Sequence, residues 1–354
     1  MNNLSVSSTV STSEGLRPLS YLSTTIVYVL FGVFGIIGNG LVLLVIARVD
    51  DLQSVTNLFI ANQSLIDLCT SVILIATYVL PLPSLPKDRP GLATFICRYW
   101  YSRYPFWSLI VASSLNLVLM TLERFCAVFY PIRFRQHTNY RLLKFIALFP
   151  WAIGFLFQLS SGYFASFDGN DCILSFFSNP AFKNIFQPAA ISLEFILPVF
   201  AMVFVYTAIF IRLRNDGMRA FNRSTRSGNK AASSKAANQQ PRITDYRSRA
   251  RINTIKTLLI VSAFFILCWS TNMILFFIFS CCGGGVDLNS LLYKISVFLG
   301  FGNMWINPFI YSFQYRWFQK GLRKVFCKGK IKSNTEAVQT ISKARNQTSE
   351  TVSL

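Results

Sequence analysis

Seven long apolar stretches constrain this chain more than any other feature. They cover residues 24–46, 57–80, 99–128, 142–163, 185–211, 252–279 and 291–313. Each has about the 20 residues that an α-helix needs to cross a hydrocarbon core. Lipid offers the backbone no hydrogen-bond partners, so segments of this length and polarity must satisfy their peptide groups internally, as helices. Only 14% of the residues are charged and 53% are hydrophobic. The expected fold is an all-α membrane protein, a seven-transmembrane helix bundle with a short amphipathic helix after the seventh span.

Charge orients the bundle. Of 34 Lys and Arg, only Arg17, Lys87, Arg89, Arg98, Arg103, Lys183 and Lys294 fall on one side. The rest follow spans one, three and five or lie in the tail. Basic flanks stay in the cytoplasm, so the N-terminus is expected outside and the C-terminus inside. The formal charge of +20 then faces anionic lipid and cytosolic partners, not nucleic acid. Residues 1–23 are Ser/Thr-rich, have no apolar signal-peptide core, and read as a disordered extracellular arm. Asn3-Leu4-Ser5 in that arm is a glycosylation sequon. So short an arm cannot form a ligand-binding domain, and a ligand would have to meet the bundle.

Several polar residues interrupt the spans. Asn39 sits between Gly38 and Gly40, small residues that let helices approach closely. Asp67 and Glu194 are intramembrane acids, which are costly and therefore functional candidates. The last span ends in Asn307-Pro308-Phe309-Ile310-Tyr311, where the proline frees a backbone carbonyl that needs another partner; Asn303, Asn307 and Tyr311 stand beside it. Cys97 and Cys172 both fall on the oxidising side, so a disulfide between the third span and the loop after the fourth is expected. Cys69, Cys126 and Cys268 read as packing residues, and Cys281-Cys282 has no assigned partner. Span three ends in Glu123-Arg124-Phe125, an acid able to hold the neighbouring arginine.

Taken together, these motifs resemble those of rhodopsin-like (class A) G-protein-coupled receptors across all seven spans. Asn39, Asp67, Glu123-Arg124-Phe125, Trp151, Pro198 with Tyr206, Phe265 with Cys268-Trp269, and Asn307-Pro308 with Tyr311 each fall in the matching span. The resemblance implies a ligand-activated receptor at the plasma membrane that signals to heterotrimeric G proteins, with arrestin and receptor kinase as further partners and no enzymatic activity. It makes Glu123, Arg124, Phe125, Tyr206, Asn307, Pro308 and Tyr311 the G-protein switch. It places Trp269 at the floor of a ligand pocket with Phe265 below. It makes Asp67, Ser113, Asn303 and Asn307 an allosteric sodium cluster, since a hard cation prefers oxygen ligands; no other cofactor is implied.

Departures from the family pattern sharpen the reading. Thr271 stands where the family has proline, and a Thr bonded to the carbonyl four residues earlier bends a helix only slightly. Cys97 lies two residues further from Arg124 than is usual, so the outer end of span three should be locally irregular. Arg251 replaces an acid at the start of span six, which removes a lock to Arg124. Phe106 occupies the place of the amine receptors' aspartate, and Phe301 that of the opsins' lysine. The expected pocket is Phe106, Trp107, Ile110, Glu194, Trp269, Asn272, Met273, Phe276 and Phe301, which suits a neuropeptide or small neuroactive molecule. Glu194 would either face a cationic ligand group or pair with Arg103 or another polar neighbour.

The remaining boundaries follow composition. The receptor domain is residues 24–314, including a basic third intracellular loop at 212–252. Residues 315–327 have aromatics and basic residues at helical spacing, an amphipathic juxtamembrane helix with Cys327 as a palmitoylation candidate. Residues 328–354 form a disordered Ser/Thr-bearing tail for kinases and arrestin. A membrane zinc hydrolase would need several buried ligands, and His137 is the single histidine. A transporter would show paired repeats with broken helices. A ligand-binding decoy without G-protein coupling shares the whole fold and is the alternative.

Overall fold

The computed structural model describes residues 19–52, 54–137, 139–175, 182–227, 240–281 and 290–326. Asn3, Cys282, Cys327 and the tail lie outside them. Six helices among the described residues are long and apolar enough to span a membrane: Leu22–Arg48, Val55–Val79, Pro90–Phe129, Tyr140–Tyr163, Asn184–Asp216 and Ile252–Ile278. The seventh, Leu291–Gln314, has the length; Lys294, Gly300, Gly302, Asn303, Asn307 and Pro308 dilute its apolar content.

The helices form a closed ring. Span one packs on two and seven, two on three, three on four and five, and six on seven. Side chains facing away from the ring are apolar and exposed, with Phe145, Phe200 and Phe313 the most exposed phenylalanines. Such a belt is what lipid would cover. Spans three and four approach closely at Gly154, where a Cβ would collide with the Ser108 carbonyl and lie 3.1 Å from the Ala112 nitrogen. A small residue is required there.

Pro308 shows how the bundle repairs its own defects. The carbonyl it frees is that of Met304, and Asn39 Nδ2 of span one donates to it at 2.8 Å and to Gly35 at 3.0 Å. The partner comes from span one, not from the neighbouring Asn303, Asn307 or Tyr311. Gly38 permits it, because a Cβ there would lie 3.0 Å from the proline ring.

Three spans are irregular on the side away from Arg124; span two ends in a wide turn at Ile75–Val79. Span three runs as Pro90–Ile96, a wide turn at Cys97–Tyr101 and a regular helix Tyr104–Phe129. Between the last two, Arg103 adopts φ 57°, a conformation that costs a non-glycine residue energy. The irregularity expected from the spacing of Cys97 and Arg124 is this wide turn and bend. Span five has a wide turn at Ser192–Ile196 before the long helix Leu197–Ser227.

Between spans four and five lies a hairpin, β1 Ala165–Phe167 with β2 Cys172–Leu174, antiparallel with Ser166 opposite Ile173. Its turn needs Gly169 at φ 105°, the region glycine occupies freely. The Asp168 Oδ1 accepts the Asn170 and Asp171 amides at 2.9 and 2.8 Å, an Asx turn. Those two amides hold the exposed carboxyl below its ordinary pKa.

The third loop has helical ends. Helices run to Ser227 and resume at Gln240, leaving only residues 228–239 undescribed within 212–252. Its Arg and Ala are strong helix formers and extend both spans. After Gln314, the helix Arg316–Phe326 turns along the bundle with Phe318 buried and Phe326 exposed.

Candidate functional site

At one end of the bundle, Arg124 is buried and held. It donates to both carboxylate oxygens of Glu123 and to the Thr56 hydroxyl of span two. Thr56 also donates to Glu123 Oε1 at 3.3 Å. A buried ion pair is tolerable only when its hydrogen bonds are made, and Thr56 completes this one. Phe125 points away from the pair and stacks on Phe129 at 4.4 Å. Tyr311 is fully buried with its hydroxyl unpaired, and the Tyr206 hydroxyl lies beside Ser262 and Thr121 without a well-formed hydrogen bond.

A second latch at this end was not legible beforehand. Asn253 of span six donates to the Gln314 carbonyl at 2.9 Å and accepts the Arg316 amide at 3.1 Å. It thereby ties span six to the junction of span seven and the juxtamembrane helix. Tyr315 at that junction donates to Asn57 of span two at 2.8 Å. Arg251 lies in the helix Gln240–Cys281; Arg124 itself makes no bond to span six among the described contacts.

The middle of the bundle carries a directed hydrogen-bond chain. Trp151 Nε1, which can only donate, donates to Asn62 Oδ1 at 3.0 Å. Asn62 Nδ2 donates to Asn116 Oδ1 at 2.8 Å, and Asn116 Nδ2 to Gln63 Oε1 at 2.8 Å. The Gln63 amide then donates to both Asp67 oxygens, at 3.1 and 3.3 Å, and to Ser113 Oγ at 2.6 Å. Ser113 and Asn307 complete the carboxylate shell at 3.2 and 2.9 Å. Asp67, Ser113 and Asn307 thus meet, with Asn303 nearby through its carbonyl. A cation would find oxygens here, and the Asn303 and Asn307 Oδ1 atoms are unpaired. Yet both carboxylate oxygens already face amide protons, so the set as it stands does not fit an ion. Gln63 was invisible in the apolar run because nothing marked it apart from other polar interruptions.

At the far end a cavity of about 180 Å³ opens between spans three, four, five and six. Trp107, Glu194, Asn272, Met273 and Phe276 of the expected pocket line it. Phe106, Ile110, Trp269 and Phe301 do not. Phe106 and Phe301 pack against each other at 4.8 Å and each against Tyr78 at 5.3 and 5.4 Å. This aromatic cluster fills the side toward spans two and seven, and the open space shifts toward spans four and five. Phe157, Gln158, Phe186 and Gln187 take the vacated places in the lining.

The wide turn at Ser192–Ile196 turns Glu194 inward, where Gln158 Nε2 donates to its Oε1 at 2.9 Å. Arg103, the alternative partner, instead lies 3.7 Å above the Tyr78 ring, a cation–π contact. Asn272 donates to Ser296 at 3.1 Å. In span six the hydroxyl beside Thr271 that bonds back is that of Ser270, to Leu267 at 3.2 Å. The rim is closed by the Cys97–Cys172 disulfide, whose Cα atoms are 5.6 Å apart, and by Arg98 Nε donating to the Ala165 carbonyl at 3.3 Å.

A helical ring with a cavity at one end and a clasped arginine at the other defines a seven-span membrane receptor. Residues 38–311 match the family model described as 7 transmembrane receptor (rhodopsin family), and the chain belongs to that family of G-protein-coupled receptors. Among similar proteins, somatostatin receptor type 2 of Mus musculus is 24% identical over 92% of this chain and 84% of its own length. Galanin receptor 2a of Danio rerio is 25% identical over 85% and 77%, and the D(5)-like dopamine receptor of Takifugu rubripes 24% over 78% and 61%.

Proposed function

We propose that the chain is a plasma-membrane receptor that takes a neuropeptide or small neuroactive molecule in the cavity and activates a heterotrimeric G protein at the Arg124 end. The N-terminus and hairpin would then be extracellular and the C-terminus cytoplasmic, as the basic flanks indicate. The observation that carries this reading is the pairing of Arg124 with Glu123 and Thr56 at one end of the same helices that line a cavity at the other. A ligand binding between spans three, five and six can act on that pair only by favouring one arrangement of those helices over another.

The likeness to somatostatin and galanin receptors supports a peptide, and Phe106 in place of an acid weighs against a monoamine. Asp67, Asn307, Pro308 and Tyr311 would relay the change, with Tyr206 and Tyr311 supporting the open state. Arrestin and receptor kinases would act on the tail, and lipid would hold the juxtamembrane helix. The decoy alternative has no observation in its favour. The test is G-protein activation in cells, wild type beside Arg124→Ala at matched surface levels. Basal or agonist-driven signal should be lost in the variant; coupling that survives it would remove Arg124 from the switch.

A further inference from the structure

The cavity holds an acid without a cation. Glu194 is 6% exposed, and its recorded partner is the neutral amide of Gln158. Ser161 donates to Gln158 Oε1 at 2.7 Å, which fixes the amide nitrogen toward Glu194. Among the described residues, no Lys or Arg lines the cavity. Two turns earlier, Gln187 is also 6% exposed and lines the same space, with neither amide atom hydrogen-bonded. A buried carboxylate without a counter-charge, and a buried amide without partners, are both unfavourable until something supplies the missing groups. Phe157, Phe186 and Phe276 give the walls between them an aromatic face.

We propose that the cavity seats a basic amino-acid amide: a guanidinium or ammonium on Glu194, an adjoining peptide amide on Gln187, and an apolar group against the phenylalanines. This rests on the reading of the cavity as the ligand site and specifies its chemistry as that of a short basic peptide. Geometry favours a planar, bidentate cation, because Oε1 is already engaged from one side and a guanidinium can bridge both oxygens.

The probe is N-acetyl-arginine β-naphthylamide, with the lysine analogue and the neutral citrulline isostere beside it. The readout is the thermal unfolding midpoint of the full chain in detergent. The arginine probe should raise the midpoint and citrulline should not; a response to lysine alone would select the ammonium. Glu194→Gln, which keeps an acceptor for Gln158, should abolish the preference, while Glu194→Asp should retain it. Equal stabilisation by citrulline, no response to any probe, or an unchanged preference in Glu194→Gln overturns the proposal. The wild-type comparison alone decides if a variant fails to fold. Basal signalling of wild type against Arg124→Ala is measured separately, so loss of coupling is not mistaken for loss of this chemistry.

The Asp67 shell carries an independent inference. Gln63 is held by a chain whose direction is fixed at Trp151, and its amide nitrogen lies within hydrogen-bond distance of both carboxylate oxygens and of Ser113. We infer that Gln63 takes the position a sodium ion would need, making this receptor insensitive to sodium. Unfolding midpoints of the full chain in sodium chloride and in choline chloride at equal ionic strength should coincide. Gln63→Leu should gain stabilisation specific to sodium, and Gln63→Leu with Asp67→Asn should lose it again. A sodium-stabilised wild type, or a Gln63→Leu variant that stays insensitive, sinks the inference; the wild-type measurement suffices if the variants do not fold.

Discussion

The two ends of this bundle are built on opposite rules. At the Arg124 end, Arg124 and Glu123 are paired within a regular helix, and Asn253 and Tyr315 stitch neighbouring elements together. At the cavity end, helices carry wide turns, Arg103 sits in a strained conformation, and Glu194 and Gln187 keep unfilled hydrogen-bonding capacity. A closed end whose bonds must break and an open end whose bonds must be made is the division a ligand-driven switch requires. Energy gained at the second can offset energy lost at the first, provided the ligand prefers one arrangement.

The largest test of that division is to break the closed end from within. Glu123→Gln leaves Arg124 buried with a neutral partner, and removing one member of a buried pair costs about 3–5 kcal/mol. Much of that cost falls on the closed arrangement, so ligand-independent G-protein activation should rise severalfold at matched surface levels. Unchanged basal signal would mean that the pair does not restrain the helices.

The next test loosens the open end. Cys97 and Cys172 are 75 residues apart in sequence, and losing a native disulfide costs about 2–4 kcal/mol. Cys97→Ser should lower the thermal unfolding midpoint and weaken binding in the cavity while leaving basal signalling close to wild type. A rise in basal signal as large as that of Glu123→Gln would show that the ends are not separable in this way.

Asn253→Ala should have a smaller effect of the same sign as Glu123→Gln. It removes two hydrogen bonds at a partly exposed junction, each worth about 1 kcal/mol. Basal activation should rise modestly, with the unfolding midpoint lowered less than in Cys97→Ser. A fall in basal signal would make Asn253 a contact of the active state instead of a latch on the closed one.

What was legible in advance follows the same division. The spans, the Glu123-Arg124 pair and the Cys97–Cys172 link are set by local composition, adjacency and compartment. Asn39 announced itself as a lone amide needing a partner, but which carbonyl it would meet depended on how span one lies against Pro308. Phe106 and Phe301 read as lining residues but do not line the cavity, because their mutual packing with Tyr78 is a fact of three helices together. Gln63, Asn253 and Gln187 carried no pattern at all. Their roles depend on the direction each amide faces, which only the packed helices fix.

The smallest effect lies at the hairpin tip, outside the bundle. Asp168 accepts two backbone amides and its carboxyl is held below the ordinary pKa. A depressed carboxyl contributes stability that is present above its unfolded pKa and is lost as pH falls through the lower, folded one. The turn should therefore loosen only in acid, below about pH 4, the region where unperturbed aspartates titrate. Hydrogen exchange at the Asn170 and Asp171 amides, corrected for intrinsic rates, should show protection falling there in wild type. Asp168→Asn keeps an acceptor and should give weaker but pH-independent protection; Asp168→Ala should give almost none. Because Lys87 Nζ donates to Asn170 at 3.0 Å, the loosened turn would also release the loop after span two, while Glu123 and Arg124, buried at the other end, would not register the change. Acid-dependent exchange that reached the amides around Arg124 would mean the hairpin is mechanically coupled to the switch, and the two ends would have to be treated as one.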